Sequence, residues 1–179
     1  MKENIIIEIP KGSNIKYEIE DGKIKVDRIL FGSMRYPLNY GFFENTLDWD
    51  GDPLDVLVFS DHEFLPGVEV PIRIIGAMKM IDGGETDTKI LGVIDVDPRY
   101  NNIKTLKDIE PHKLEEIKDF FENYKNLQKK SVKINGFENK EYAMKELEAT
   151  KILYTKYKNL SKKSFIEKMK KEHPEKYPK

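Results

Sequence analysis

Residues 48–59 read Asp48-Trp49-Asp50-Gly51-Asp52-Pro53-Leu54-Asp55-Val56-Leu57-Val58-Phe59. The first eight of these residues include four aspartates, whose like charges resist burial unless a cation lies among them. Gly51 and Pro53 exclude a helix interior or a regular strand, and they restrict the backbone more than a solvated acidic loop requires. The apolar run at residues 56–59 predicts a buried strand that anchors Asp55 at the core. The stretch therefore predicts a site for a divalent metal ion beside a core strand.

The available ligands indicate which metal this site would bind. The calcium-binding EF-hand loop needs glycine at its sixth position and glutamate at its twelfth, but a loop starting at Asp48 has Pro53 and Phe59 there. The chain contains no cysteine and its three histidines are scattered, which argues against zinc. Carboxylate ligands suit Mg²⁺ or Mn²⁺. Because Mg²⁺ commonly shares its coordination shell with substrate phosphate, the site predicts phosphate chemistry.

Composition restricts the class of protein. With 179 residues, of which 39% are hydrophobic and 35% charged, the chain is expected to form one globular domain. Apolar runs are short and the acidic N-terminus does not resemble a signal peptide, so we expect no membrane partner and a cytoplasmic location. The net charge is −1. The lysine-rich residues 156–179 lack a nucleic-acid-binding motif, so we expect a solvated helix there and no nucleic-acid partner.

Alternating and periodic patterns predict the secondary structure. Strands are expected at residues 4–9, 56–59, 68–75 and 132–134. One hairpin is expected at residues 15–28 around the turn Asp21-Gly22, and a second joins residues 77–81 to 90–95. Helices are expected at residues 111–127, 139–160 and 164–172. Short strands followed by helices predict an α+β fold: a small closed, OB-like β-barrel with two main helices packed against it and a short C-terminal helical extension.

Six sequence blocks, in order, resemble the soluble family I inorganic pyrophosphatases from residue 4 to about residue 155. The blocks are Glu8-Ile9-Pro10; Lys16-Tyr17-Glu18 with Val26-Asp27-Arg28; Tyr36-Pro37-Leu38-Asn39-Tyr40-Gly41; Asp50-Gly51-Asp52-Pro53-Leu54-Asp55-Val56-Leu57; Lys79-Met80-Ile81-Asp82 with Asp87-Thr88-Lys89; and Phe120-Phe121-Glu122-Asn123-Tyr124-Lys125. The acidic block, with its aliphatic strand behind it, is highly specific. The chain departs from many members of that family at Gly83, where they have glutamate.

The resemblance implies hydrolysis of inorganic pyrophosphate to two orthophosphates by a metal-activated water. It implies several Mg²⁺ ions per active site, with Mn²⁺ as an alternative. By this resemblance Asp50, Asp55 and Asp87 would bind the two main ions, and Asp55 would bridge them. Asp82 and Glu8 would serve an outer metal position.

The resemblance also assigns the remaining site residues. Asp52 would orient or deprotonate the attacking water. The implied phosphate ligands are Lys16, Arg28, Tyr40, Lys89, Tyr124 and Lys125. Glu18 and Tyr36 would support the network around these ligands.

The same resemblance implies a homohexamer in which residues 1–160 form a single catalytic domain. Residues 161–179, here called the tail, form a basic helical extension beyond it. Phe165, Ile166 and Met169 form an apolar stripe at helical spacing, so we expect the tail to dock on its own barrel or on a neighbouring subunit. No tail residue matches a catalytic block. Truncation after Leu160 is therefore expected to lower stability or assembly and to leave turnover nearly intact.

Three other functions fit parts of the sequence. A Ca²⁺-binding module without turnover would explain the carboxylates but not the lysines, arginine and tyrosines of the other blocks. A single-stranded nucleic-acid-binding barrel would fit the fold and the basic tail, but the acidic charge of the remaining chain argues against it. Another Mg²⁺-dependent phosphohydrolase, for example one acting on nucleotides, would use the same kinds of residue.

Overall fold

The computed structural model describes residues 2–20 and 22–178. The predicted turn residue Asp21 therefore lies outside the described residues. So do Met1, the first residue of the expected catalytic domain, and Lys179, the last residue of the tail. The strands are, in chain order, β1 (Lys2–Ile9), β2 (Ile15–Glu20), β3 (Lys23–Ile29), β4 (Asn39–Phe42), β5 (Asp55–Phe59), β6 (Glu69–Asp82), β7 (Glu85–Thr86), β8 (Lys89–Ile94) and β9 (Val132–Glu138). The helices are α1 (Pro111–Asn123), α2 (Lys140–Tyr157) and α3 (Lys162–Glu172).

Five strands close into a ring. Strand β1 pairs antiparallel with both β4 and β6, β4 pairs antiparallel with β5, and β8 pairs antiparallel with β6. The pair β5–β8 is parallel. Short strand β7 and strand β9 add to β6 outside the ring, and β2–β3 is a separate two-stranded sheet. The predicted OB-like α+β fold is confirmed, with a ring of mixed strands in place of a regular barrel.

Strand β6 differs from its prediction. Residues 68–75 and 77–81 were expected as two strands, but one strand of 14 residues, Glu69–Asp82, covers all of them except Val68. Its pairing with β8 is irregular between Ile74 and Gly76. A Cβ atom on Gly76 would lie 2.4 Å from Leu106 Cδ1 and 2.6 Å from the carbonyl oxygen of Glu138. The glycine therefore lets neighbouring segments approach the strand closely without ending it.

Three helix boundaries also differ from the sequence-based expectation. Helix α2, expected at residues 139–160, ends at Tyr157. Helix α1 ends at Asn123, and residues Asn126–Gln128 form a separate 3₁₀ turn, so the helix does not reach Leu127. Helix α3 begins at Lys162 because the Ser161 hydroxyl accepts a hydrogen bond from the Ser164 N–H. The expected start at Ser164 was therefore too late.

The core fills the ring and the space beneath α1 and α2. It includes the buried side chains of Ile5, Ile7 and Ile9 from β1 and of Val56 and Val58 from β5. A second, smaller cluster joins Trp49, Leu153, Phe165 and Met169. The predicted docking of the tail is thus confirmed, on its own chain. Within residues 2–20 and 22–178, no helix is both long enough and apolar enough to cross a membrane.

Candidate active site

The structure brings together every side chain that the sequence analysis assigned to the site. They line one cavity of about 450 Å³ at one side of the ring. The assigned residues are Glu8, Lys16, Glu18, Arg28, Tyr36, Tyr40, Asp50, Asp52, Asp55, Asp82, Asp87, Lys89, Tyr124 and Lys125. The polar residues Glu20 and Gln128 also line the cavity, and the sequence analysis did not select them.

Parallel pairing of β5 and β8 places Asp55 next to Lys89. Val56 lies opposite Ile90 in the register of this pair, so Asp55 and Lys89 begin their strands at the same edge. The Lys89 ammonium group contacts the carboxylates of both Asp55 and Asp87, and it donates a hydrogen bond of 3.1 Å to the Tyr40 hydroxyl. The Lys89 side chain is only 3% exposed. The lysine thus pairs with two carboxylates inside the protein and compensates one of their two negative charges.

The segment that precedes β5, residues 48–54, is here called the acidic loop, and hydrogen bonds between its own residues hold it in place. The Asp48 N–H donates to the Asp52 carbonyl oxygen at 2.7 Å, and the Gly51 N–H donates to the Asp48 carbonyl oxygen at 2.9 Å. The Asp52 N–H donates to Asp50 Oδ1 at 3.0 Å, which is an Asx turn. Gly51 adopts φ +82°, a conformation that favours glycine. This folding turns Asp50 and Asp52 toward the cavity, whereas Asp48 is buried beneath the loop.

A tight turn after β6 carries further carboxylates of the cavity. Gly83 and Gly84 have φ of +58° and +87°, as a two-residue hairpin turn with positive φ at both positions requires. Asp82 and Asp87 flank this turn, and the ammonium group of Lys125 contacts the Asp82 carboxylate. Gly83, the residue that departs from the family pattern, thus occupies a position where a side chain would be strained.

Burial and mutual repulsion perturb the cavity carboxylates. Burial, followed by the charges of Asp87 and Asp52, raises the pKa of Asp50 to about 7. Burial and then the charge of Asp55 raise the pKa of Glu8 to about 7. Burial also raises the pKa of Asp87, although Lys89 opposes the shift. The cavity therefore holds more carboxylate charge than its lysines neutralise, and an additional cation would relieve the repulsion.

The donor set fits Mg²⁺. Every candidate ligand is a carboxylate oxygen, the ligand type that Mg²⁺ prefers. In the part of the chain that the structure describes, no group of three or more His, Asp or Glu side chains is arranged to hold a metal ion by itself, and Lys89 and Lys125 contact the carboxylates instead. This arrangement suits an ion that keeps several waters and binds together with a phosphate substrate.

Cationic and aromatic side chains also line the cavity. Lys16 and Arg28 lie opposite each other on β2 and β3, and Lys16 Nζ lies 3.3 Å from Glu18 Oε1. Tyr124 stacks on Phe120 with ring centroids 5.2 Å apart. The ring centroids of Tyr36 and Phe120 are 4.8 Å apart. The aromatic contacts fix the two tyrosines at the cavity wall. An anion entering the cavity would therefore meet lysine, arginine and tyrosine as well as carboxylates.

One contact at the site was missed by sequence reasoning. Lys162, the first residue of α3, places its Nζ atom 2.5 Å from Asp52 Oδ2. The apolar residues of the tail, Phe165, Ile166 and Met169, predicted a docked helix. They did not indicate which surface would receive the helix, so they could not connect Lys162 with Asp52.

Comparisons with known proteins agree with the motifs. A family model for inorganic pyrophosphatase matches residues 5–155, which leaves the tail outside it. The inorganic pyrophosphatase of Ureaplasma parvum serovar 3 is 62% identical, and that of Malacoplasma penetrans 57%, each over 99% of both chains. The solved structure of an inorganic pyrophosphatase from Coxiella burnetii aligns with a TM-score of 0.83 and 46% identity, covering 86% of this chain and 95% of that one. This chain belongs to the inorganic pyrophosphatase family.

Proposed function

We propose that this inorganic pyrophosphatase is Mg²⁺-dependent and that Asp52 orients or deprotonates the attacking water. The observation that supports the proposal is the cavity itself, which carboxylates line together with lysine, arginine and tyrosine side chains. Pyrophosphate is a polyanion, so a nucleophile can approach it only where positive charge compensates both the substrate and the carboxylates. The cavity brings both kinds of group together in one pocket.

Asp50, Asp55 and Asp87 would hold the main Mg²⁺ ions, with Asp55 shared between them, and Mn²⁺ would be an alternative. Asp82 and Glu8 would serve an outer ion. When bound, Mg²⁺ supplies charge neutralisation at the phosphoryl oxygens and lowers the pKa of water. The raised pKa values of Asp50 and Glu8 support the binding of a cation beside them, because each of the two side chains is buried near another carboxylate.

Asp52 would accept the proton from the attacking water. Its side chain is 56% exposed at the rim of the cavity, so water reaches it, unlike the buried carboxylate of Asp48. A carboxylate within hydrogen-bonding reach of the nucleophile is a suitable proton acceptor. Asp55, by contrast, contacts the Lys89 ammonium group at the start of a core strand. This position suits a carboxylate that compensates the positive charge of cations in the cavity.

The ammonium, guanidinium and hydroxyl groups of the cavity would bind the two phosphoryl groups. The proposed ligands are Lys16, Arg28, Tyr40, Lys89, Tyr124 and Lys125. Their cationic groups stabilise the charge that grows on the leaving phosphate during bond cleavage. Glu18 would orient Lys16 through the 3.3 Å ion pair. Tyr36 would support Tyr40, since their rings pack edge to face with centroids 5.7 Å apart.

A phosphate-release assay tests this proposal. Purified protein should hydrolyse pyrophosphate when Mg²⁺ is present and lose activity when the ion is chelated, and ATP should be a poor substrate. Ca²⁺ should inhibit, because its longer and more flexible coordination occupies the carboxylates without holding water and phosphate in line. Efficient ATP hydrolysis would favour a different phosphohydrolase. Tight Ca²⁺ binding without phosphate release from any substrate would favour the binding module.

We further infer a homohexamer built from catalytic domains of residues 1–160, each with its tail. The support for assembly is a set of exposed apolar side chains on β3 and just after it: Ile24, Val26, Ile29 and Phe31 are 51%, 60%, 55% and 67% exposed. Exposed apolar groups that lie close together are typical of interfaces. The cytoplasmic location stays a prediction.

A further inference from the structure

The tail docks on the acidic loop through buried contacts. Phe165 and Met169 of α3 are 1% and 0% exposed and pack with Trp49, which lies inside the acidic loop. The Tyr177 hydroxyl donates a hydrogen bond of 2.6 Å to the Trp49 carbonyl oxygen. Lys176 Nζ lies 4.7 Å from the centroid of the Trp49 ring. The tail thus holds the residue directly before Asp50 by packing, a hydrogen bond and a cation–π contact.

The start of α3 reaches further along the same loop. A Cβ atom on Gly51 would lie 2.8 Å from Lys162 Cγ, so the aliphatic part of Lys162 passes directly over the Gly51 backbone. The ammonium group then contacts Asp52 Oδ2 at 2.5 Å. In this arrangement the backbone glycine leaves room for the lysine, and the lysine approaches one oxygen of the proposed proton acceptor.

The tail also contacts the segment that carries Asp82 and Asp87. Lys170 Nζ lies 3.1 Å from Glu85 Oε1 in β7, directly after the Gly83-Gly84 turn. A Cβ atom on Gly84 would lie 3.2 Å from the Pro178 carbonyl oxygen. One segment outside the family-matched residues therefore touches both acidic turns of the cavity.

The exposure of the Lys162–Asp52 pair indicates what the contact does. The two side chains are 54% and 56% exposed, and an ion pair in such surroundings adds little to stability. The buried Phe165 and Met169 hold the tail in place without it. The ammonium group does counter the repulsion between Asp52 and Asp50, and it selects one orientation of a carboxylate that would otherwise rotate freely at the rim.

We propose that Lys162 is a positioning residue for hydrolysis: its ammonium group holds the Asp52 carboxylate in the orientation that receives the proton of the attacking water. The inference rests on the proposed role of Asp52. It replaces the expectation that the tail serves only stability or assembly. The reaction gains no new group from the tail, because Lys162 acts through Asp52 and does not need to touch pyrophosphate.

The test compares Lys162→Met with Lys163→Met, a change at the adjacent exposed lysine of α3. At saturating Mg²⁺, Lys162→Met should lower kcat for pyrophosphate about tenfold and leave KM nearly unchanged, since misplacement of a reacting group lowers the rate of the chemical step. Lys163→Met should match the wild type, and Lys162→Arg should recover most of the activity. Equal kcat values for the two methionine variants would overturn the proposal. So would a raised KM with unchanged kcat, which would show direct binding of substrate.

Two controls separate positioning from docking. Trp49 is the chain's single tryptophan, so its emission reports whether the tail still covers the loop, and Lys162→Met should leave that emission unchanged. A red shift would show that Lys162 acts by docking the tail and would overturn the positioning role. In an Asp52→Asn background, Lys162→Met should have no further effect on kcat, whereas an equal loss in both backgrounds would contradict action through Asp52. A wild-type protein inactive toward pyrophosphate would instead reject the proposed function itself.

Discussion

Asp52 and Asp55 are three residues apart but lie in different surroundings. The Asp52 side chain is 56% exposed at the rim, whereas the Asp55 side chain is 18% exposed and contacts the buried Lys89. Their environments therefore suit different tasks, proton transfer for Asp52 and cation binding for Asp55. The sequence placed both in one motif, and the structure separates their surroundings.

Asparagine substitutions should distinguish these tasks. Asp52→Asn should lower kcat by about 10²–10⁴-fold with nearly unchanged Mg²⁺ dependence, because an amide cannot accept the proton. Asp55→Asn should raise the Mg²⁺ concentration needed for half-maximal activity, because a side chain shared between two Mg²⁺ ions, as proposed for Asp55, needs the negative charge of a carboxylate. Steady-state phosphate release over a Mg²⁺ titration measures both, with the exposed Asp119→Asn on α1 as control. Wild-type turnover by Asp52→Asn at every pH would contradict its role as proton acceptor.

Glu8 should make the metal-free protein less stable as pH rises. Its pKa is about 7 in the folded protein against 4.5 as the ordinary value, so folding disfavours its charged form. Below pH 4.5 the residue is protonated in both states and has no effect. Between pH 4.5 and 7 the cost grows, and above pH 7 it is complete, at about 1–3 kcal/mol after allowance for partial exposure.

Thermal unfolding in the presence of a chelator checks this expectation. Glu8→Gln should melt at nearly the wild-type temperature at pH 4 and at a higher temperature at pH 8, because the amide carries no charge to bury. Glu115→Gln, an exposed change on α1, serves as the control. A difference between Glu8→Gln and wild type that does not vary with pH would show that charge burial is not its cause.

At the scale of the elements, the site depends on how closely β1 and β4 approach. Gly41 of β4 lies opposite Ile7 of β1 and Val56 of β5. A Cβ atom on Gly41 would lie 2.1 Å from the carbonyl oxygen of Ile6, which is backbone and cannot rotate away. This close approach places Tyr40, the residue before Gly41, at the cavity wall beside Lys89.

Gly41→Ala should therefore destabilise the protein by about 1–3 kcal/mol or more, as overpacking in a core does. It should also lower turnover, because β4 must shift and Tyr40 shifts with it. Gly32→Ala is the matched control: its Cβ atom would meet only Leu127 Cδ1 at 3.5 Å, an ordinary contact. Chemical denaturation and phosphate release measure the two effects. Equal stability of the two alanine variants would contradict the close approach.

Element prediction succeeded where the signal is local. The hairpin between β6 and β8 was expected from its two runs and intervening turn, and the register Ala77 to Ile90 confirms it. The parallel pairing of β5 with β8 was not predicted, because nothing in two apolar runs specifies their relative direction. Helix α1 was predicted too long because Tyr124 continues the apolar stripe, although the helix has already ended at Asn123.

At the scale of the whole molecule, the exposed apolar face of β3 should lie in a subunit interface. Val26→Lys should give a smaller species than the wild type in light scattering, with unchanged circular dichroism, because the charge would be buried against a neighbouring subunit. The control is Ile152→Lys on α2, where a side chain of similar exposure, 53%, lies away from β3. A wild-type monomer, or an unchanged size for Val26→Lys, would contradict the proposed assembly.

The sequence by itself determined the local chemistry of this protein. It showed an acidic loop with a restricted backbone before a buried strand, a Gly-Gly turn between two aspartates, and lysine, arginine and tyrosine in motifs that identified the family. These features are readable because turn geometry and strand alternation depend on residues close together in the chain. The resemblance of the motifs to the family selected the assigned residues, all of which line the cavity.

Only the tertiary structure decided which of these features meet. The ring closes because β1 pairs with both β4 and β6, and Lys89 reaches Asp55 because β5 and β8 are parallel and in register. Lys162 reaches Asp52 across 110 residues because Phe165 and Met169 dock α3 on Trp49. Such contacts depend on register and packing between distant segments, which the pattern of neighbouring residues does not encode.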